Sequence, residues 1–389
     1  MFEFGIVEYL IFHKIPIIII RIMIIMERLK SIDIFRGLCM SWMFLGHLIE
    51  WWISTEYLWL RTFTFYIFDP IGAGGFLFIS GVSITLSYRK RLIKVEEYKN
   101  ISYSRIKTSY FLRAFFLLII AMIYNTAIAL TMGWLSWIWT WFVLMTAAFS
   151  LLLMWPLFKF SKITRILIGV IIWFISQYLY LLLSPYQDQL NLQGIFYHIF
   201  YNDYGQDPLL VFFSFFLFGT VIGDMMNDIN NNNPELKRKQ LKKKMLIPTC
   251  LISLCLIAFG VLFNFPSFLS RSSLSWLFYA IGFDLLVLML LIILEEYGIF
   301  NTKKSYRVFF YFSYYSFTVY LGHNFLYFIF YQKLDLVTIW IAVVLTFLIF
   351  SLVLRQLYKK WGWKASLKTI LGKISFKLAQ KIEENKKRE

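Results

Sequence analysis

Cysteine is scarce in this chain: three residues among 389, at positions 39, 250 and 255. An odd number, each inside an apolar stretch, supports neither a disulfide framework nor a metal-ligand spacing, so no metal is expected and the thiols read as packing residues. Charged residues make up only 16% of the chain, and the 22 acidic ones are outnumbered by 39 Lys and Arg. A Gly-rich phosphate loop and a paired dinucleotide motif are both missing, which excludes ATP-driven pumps and Rossmann enzymes. With no internal repeat and no appended soluble domain, any chemistry must come from residues within apolar stretches or the joints between them.

What the chain has in abundance is apolar surface. Hydrophobic residues are 59% of it and aromatic ones 21%, more than a soluble core of this size hides. The expected fold class is therefore all-α: a polytopic, multi-pass protein of the cell membrane with about ten transmembrane helices. These run from a first span over 34–52, through a short second one over 72–88, to the last two over 307–331 and 336–358. The net charge of +17 does not point to nucleic acid, because the basic residues cluster in short runs between spans and in the tail, where they set topology and meet anionic lipid. One set of alternate joints holds 21 Lys and Arg and the other holds Arg61, Arg271 and Lys333 alone, which predicts both termini in the cytoplasm. Residues 1–27 read as an N-terminal extension or interfacial helix, with Met26 an alternative start; 28–358 as the membrane domain; and 359–389 as a basic amphipathic tail on the membrane surface.

Ionisable groups inside spans are costly and are functional candidates by default. His47 lies fourteen residues after Asp33 in the first span, about 21 Å of helix rise, near its outer end. Glu50, one turn later on the same face, is placed to fix the imidazole tautomer. A lone histidine in an apolar helix is also commonly a packing residue; the carboxylate and the preceding Gly46 favour a catalytic one. Arg36 either pairs with Asp33 or binds an anion at the inner interface. Arg113, eight residues after Arg105, offers with it charge-assisted contacts to a phosphate, with topological anchoring the plainer reading. Asp284 and His323, followed by Asn324, fall at similar depths on successive antiparallel spans, where a hydrogen-bonded pair or substrate contact would satisfy them. The joint 184–206 has no Lys or Arg but is rich in Tyr, Asn, Gln and Asp, which suits either solvent or a polar substrate. A proton-coupled carrier using Asp284 and His323, or an inactive structural protein of the same fold, are the rival classes.

The stretch RLKSIDIFRGLCMSWMFLGHLIEWW, followed by FLFISGVSITLSYRKR, resembles the opening of the heparan-α-glucosaminide N-acetyltransferase catalytic family and its prokaryotic relatives, within the wider acyltransferase family 3. Arg36 and His47 reproduce that wider group's Arg-x10-His spacing. YGQDPLLVFFSFFLFGTVIGD, with Tyr204, and SFTVYLGHNFLYF, with His323, are similar to later segments of the family. The resemblance implies an acyl-CoA-dependent acyltransferase. Acetyl-CoA or another acyl-CoA would enter from the cytoplasm along Arg36, Arg89, Arg105 and Arg113. His47, oriented by Glu50, would act as general base or transient acyl carrier. The acceptor, a hydroxyl or amine of a sugar or glycoconjugate, would lie on the far side near Tyr204, Asp284, His323 and Asn324. Partners are then lipid, acyl-CoA and a glycan-type acceptor, with oligomeric state open and a homodimer included. An Arg-x-x-Arg pair common in that group is broken here: Tyr110 stands three residues before Arg113.

Overall fold

The computed structural model describes residues 29–98, 101–202, 206–230, 234–265, 267–298 and 307–388. Fifteen α-helices are found among them: α1 Lys30–Trp52, α2 Leu58–Phe68, α3 Ala73–Tyr98, α4 Tyr103–Met132, α5 Val143–Leu157, α6 Lys162–Leu183, α7 Leu192–Phe200, α8 Leu209–Asn230, α9 Pro234–Gln240, α10 Ile247–Leu262, α11 Leu274–Glu296, α12 Arg307–Tyr314, α13 Ser316–Gly322, α14 Thr338–Lys360 and α15 Leu367–Lys386. The protein is an all-α, multi-pass membrane protein. Among the described residues nine helical stretches are long and apolar enough to cross a bilayer. The expected span over 307–331 is the difference. It is broken at Tyr315 into α12 and α13 and continues as a 3-10 turn over His323–Phe328. The expected second span is the longer α3, preceded by α2. Residues 1–28, including the alternative start Met26, lie outside the described residues, as does Tyr204.

Helix α1 is central: Phe35, Cys39, Phe44, Leu48 and Trp52 are buried, and Gly37 brings it against the backbone of Phe309 in α12. Its far end is tied to the segment after α13. Trp52 Nε1 donates to the Leu326 carbonyl at 2.9 Å, and the amides of Gln332 and Leu334 donate to the carbonyls of Trp51 and Trp52. These ties hold the broken helix beside His47.

The tightest helix pair is α3 with α8. A Cβ on Gly219 would strike the Phe78 carbonyl, and one on Gly81 would strike the Phe216 carbonyl, so the two backbones touch where small residues allow it. Gly219→Val should therefore push α3 from α8 and cost about 1–3 kcal/mol, the usual range for overpacking; a lower midpoint for thermal unfolding in detergent is the readout.

The tail, expected on the membrane surface, is packed against the helices of the bundle. α15 packs beneath α4 and α13. Arg105 holds Glu383 at 2.7 Å, Lys368 Nζ donates to the Ser313 carbonyl at 2.8 Å, and Leu371, Ser375 and Ala379 are buried. The Arg105 guanidinium keeps the Glu383 carboxyl below its usual range.

Candidate active site

His47 and Glu50 lie on one face of α1 because three residues bring side chains round a helix to the same side. His47 Nδ1 is 3.3 Å from Glu50 Oε2. The other carboxylate oxygen is held by Arg61 of α2, through Nε at 3.0 Å and through Nη2, while the Arg61 guanidinium sits 5.2 Å from the Phe65 ring centre. The resulting line Arg61–Glu50–His47 places a carboxylate on Nδ1 of the imidazole, so Nδ1 carries the proton and Nε2 is the basic nitrogen.

All three residues line a cavity of about 970 Å³. Aromatic rings make much of its wall, among them Trp42, Trp51, Phe65 and Tyr327, and Asn324 adds an amide that donates to the Tyr124 hydroxyl at 2.6 Å. A second charged centre lines the cavity and was not singled out by the sequence. Arg271, from the loop before α11, pairs with Asp69 at 3.3 Å and with Asp207 at 2.6 Å, and packs over Phe212. Asp207 stands in the loop just ahead of α8, where burial pushes its carboxyl up to about 6 against the pull of Arg271. Its backbone is fixed by bonds to Trp141 and Thr146. These residues come from three separate joints, and no local spacing connects them.

The histidine of the broken helix is brought close to His47. The His323 and His47 ring centres are 5.2 Å apart. Asp284, expected beside His323, is elsewhere: it is fully buried in α11 next to Gly75, where a Cβ would come within 2.8 Å of its Oδ1. Neither of its oxygens has a hydrogen-bond partner among the described residues. The expected pair is not formed: His323 stands beside His47 of α1, and Asp284 packs against Gly75 of α3.

At the other end of α1, Arg36 donates to Ser83 and lies within electrostatic reach of Arg113, as does Arg91. Arg91 was not among the residues selected from sequence; it stacks 6.0 Å from the Phe376 ring centre of α15. Arg89 and Arg105 are already engaged, Arg89 with Asp224 at 2.7 Å and Arg105 with Glu383. Among the described residues no group of three or more His, Cys, Asp or Glu is placed to hold a metal ion.

The profile of a family described as an acyltransferase domain matches residues 29–355. The chain belongs to acyltransferase family 3. No curated protein matches it. The matched range of this acyltransferase takes in α1, the cavity and the broken helix, and stops within α14.

Within the acyltransferase domain, Glu50 touches the imidazole directly and Arg61 touches Glu50. Glu50→Gln keeps the shape of the side chain but removes the charge that favours an imidazolium. A fall of about 10–100-fold in turnover with little change in KM is expected. Steady-state kinetics on the purified protein decide it, and an unchanged kcat would remove Glu50 from the mechanism.

Proposed function

We propose that this membrane acyltransferase moves an acetyl or other acyl group from acyl-CoA, bound at the Arg36 end of α1, to a hydroxyl or amine of a sugar or glycoconjugate held in the cavity at the His47 end. The observation that carries the reading is the Arg61–Glu50–His47 line at the wall of a large, aromatic-lined cavity, in a chain of this family. Aromatic faces and paired carboxylate–guanidinium groups suit a polyhydroxylated ligand, stacking on its ring and hydrogen-bonding its edges.

The donor's phosphates fit best on Arg36, Arg91 and Arg113. Arg89 and Arg105, candidates from sequence, are tied to Asp224 and Glu383 and serve the fold. Eleven residues of helix, about 16 Å of rise, separate Arg36 from His47, a distance for the pantetheine arm to run. The charge alternation supports a cytoplasmic Arg36 end, and in this reading the acyl group crosses the membrane within the protein. The opening motif resembles that of heparan-α-glucosaminide N-acetyltransferases, which supports a sugar hydroxyl or amine as acceptor. The reading is tested with purified protein in liposomes, radiolabelled acetyl-CoA on one side and a panel of amino sugars and neutral glycosides on the other. Label on a glycan supports it; coenzyme that stays intact with every acceptor overturns it.

A further inference from the structure

His323 opens the 3-10 turn after α13 and is 1% exposed. Its Nδ1 lies 2.7 Å from the Tyr320 carbonyl oxygen. A carbonyl only accepts, so Nδ1 carries the proton and Nε2 is a bare lone pair. That Nε2 is buried without a partner among the described residues, a condition folded proteins avoid unless the group has work to do. The ring lies just behind the wall of the cavity, 5.2 Å from the His47 ring centre. Its neighbours Tyr320, Leu321 and Asn324 line the cavity, and Trp51, which also lines it, stacks on both imidazoles, at 5.0 Å from His47 and 5.4 Å from His323.

We propose that the two histidines divide the transfer: His47 Nε2 carries the acyl group, and His323 Nε2 takes the proton of the incoming acceptor. The proposal rests on the acyltransferase reading above. First, His47 Nε2 attacks the thioester carbonyl carbon and the C–S bond breaks with its electron pair on sulfur. The His47 Nδ1 proton passes through Glu50 to the thiolate, leaving a neutral acyl-imidazole and a free thiol. The acylated Nε2 then has no lone pair to act as a base, and Nδ1 faces Glu50, so His47 cannot activate the acceptor itself. In the second half, the acceptor hydroxyl or amine attacks the acyl carbon and its proton goes to His323 Nε2. The C–N bond breaks with its pair returning to His47 Nε2; the proton on His323 passes to His47, and its exchange to Nδ1 beside Glu50 restores both rings to their starting tautomers. The sum is thioester plus acceptor giving ester or amide plus thiol.

The test uses the purified full chain, radiolabelled acetyl-CoA, and methyl glucoside or glucosamine as acceptor. Wild type without acceptor should release a burst of thiol matched by labelled protein. His323→Gln can accept a hydrogen bond but not a proton. It should keep the burst within about 2-fold, accumulate labelled protein, and pass label to the sugar on the order of 10²-fold more slowly. Hydroxylamine, which attacks an acyl-imidazole without a general base, should clear the label at the wild-type rate; a merely structural role would slow both. If that variant does not fold, His323→Met is read in the same way. The proposal is overturned if His323→Gln transfers at the wild-type rate, if burst and transfer fall together at an unchanged unfolding midpoint, or if wild type transfers acyl without forming labelled protein. Wild type that neither releases thiol nor modifies any acceptor sinks the acyltransferase reading itself.

Discussion

Replacing His47 by alanine is expected to lower acyl transfer by at least about 10³-fold, within the range for losing a general base and toward the upper part for losing a nucleophile as well. Both roles use Nε2, the nitrogen left basic by the Nδ1 contact with Glu50. The side chain is partly exposed on the cavity wall, its relative exposure being 36%, so removing it should disturb packing little. Unfolding midpoint and acyl-CoA binding should stay near wild type while turnover collapses. Radiolabel transfer, read beside coenzyme binding by the same preparation, checks this, and a variant that retains transfer would take His47 out of the chemistry.

The second large effect is on the fold. Arg165 of α6 is 1% exposed and pairs with Asp224 of α8, whose carboxylate also binds Arg89 of α3 at 2.7 Å; Thr220 accepts from Arg165 at 2.9 Å. Asp224→Ala leaves a buried guanidinium without its counter-charge and should destabilise the protein by about 3–5 kcal/mol. Arg89 is better exposed and can turn to the interface. Removing both buried charges at once, as Arg165→Met with Asp224→Leu, should recover much of the loss, since the penalty comes from the orphaned charge. Unfolding midpoints of the single and double variants in one detergent decide the point. A double variant no better than Asp224→Ala would mean the network matters for more than charge balance.

What was legible in the chain follows the reach of each signal. Span length and hydropathy are local, so the all-α, multi-pass class and most of its helices could be read directly. The His47–Glu50 contact was readable too, because three residues on a helix are neighbours whatever surrounds them. The pairing of Arg165 was hidden for the complementary reason: it lies in the first turn of α6, and only the packing of two helices shows the carboxylate of α8 that it meets. Asp69, Asp207 and Arg271 come together from three joints with no common spacing. The expected partnership of Asp284 with His323 rested on equal depth in successive helices, and depth does not say which face of a helix a side chain is on. His323 instead meets His47, a contact between residues 276 positions apart that periodicity does not encode.

The docking of α15 has a consequence for how the protein is made. The helix leaves the ribosome after every span it touches, yet it supplies Glu383 to Arg105 and Phe376 to Arg91. The wall beside the proposed donor entrance is thus finished only after the bundle has been threaded into the bilayer. A chain made only as far as α14 would hold the cavity and its histidines while lacking part of the floor beneath them, so competence for the coenzyme would follow the making of the cavity.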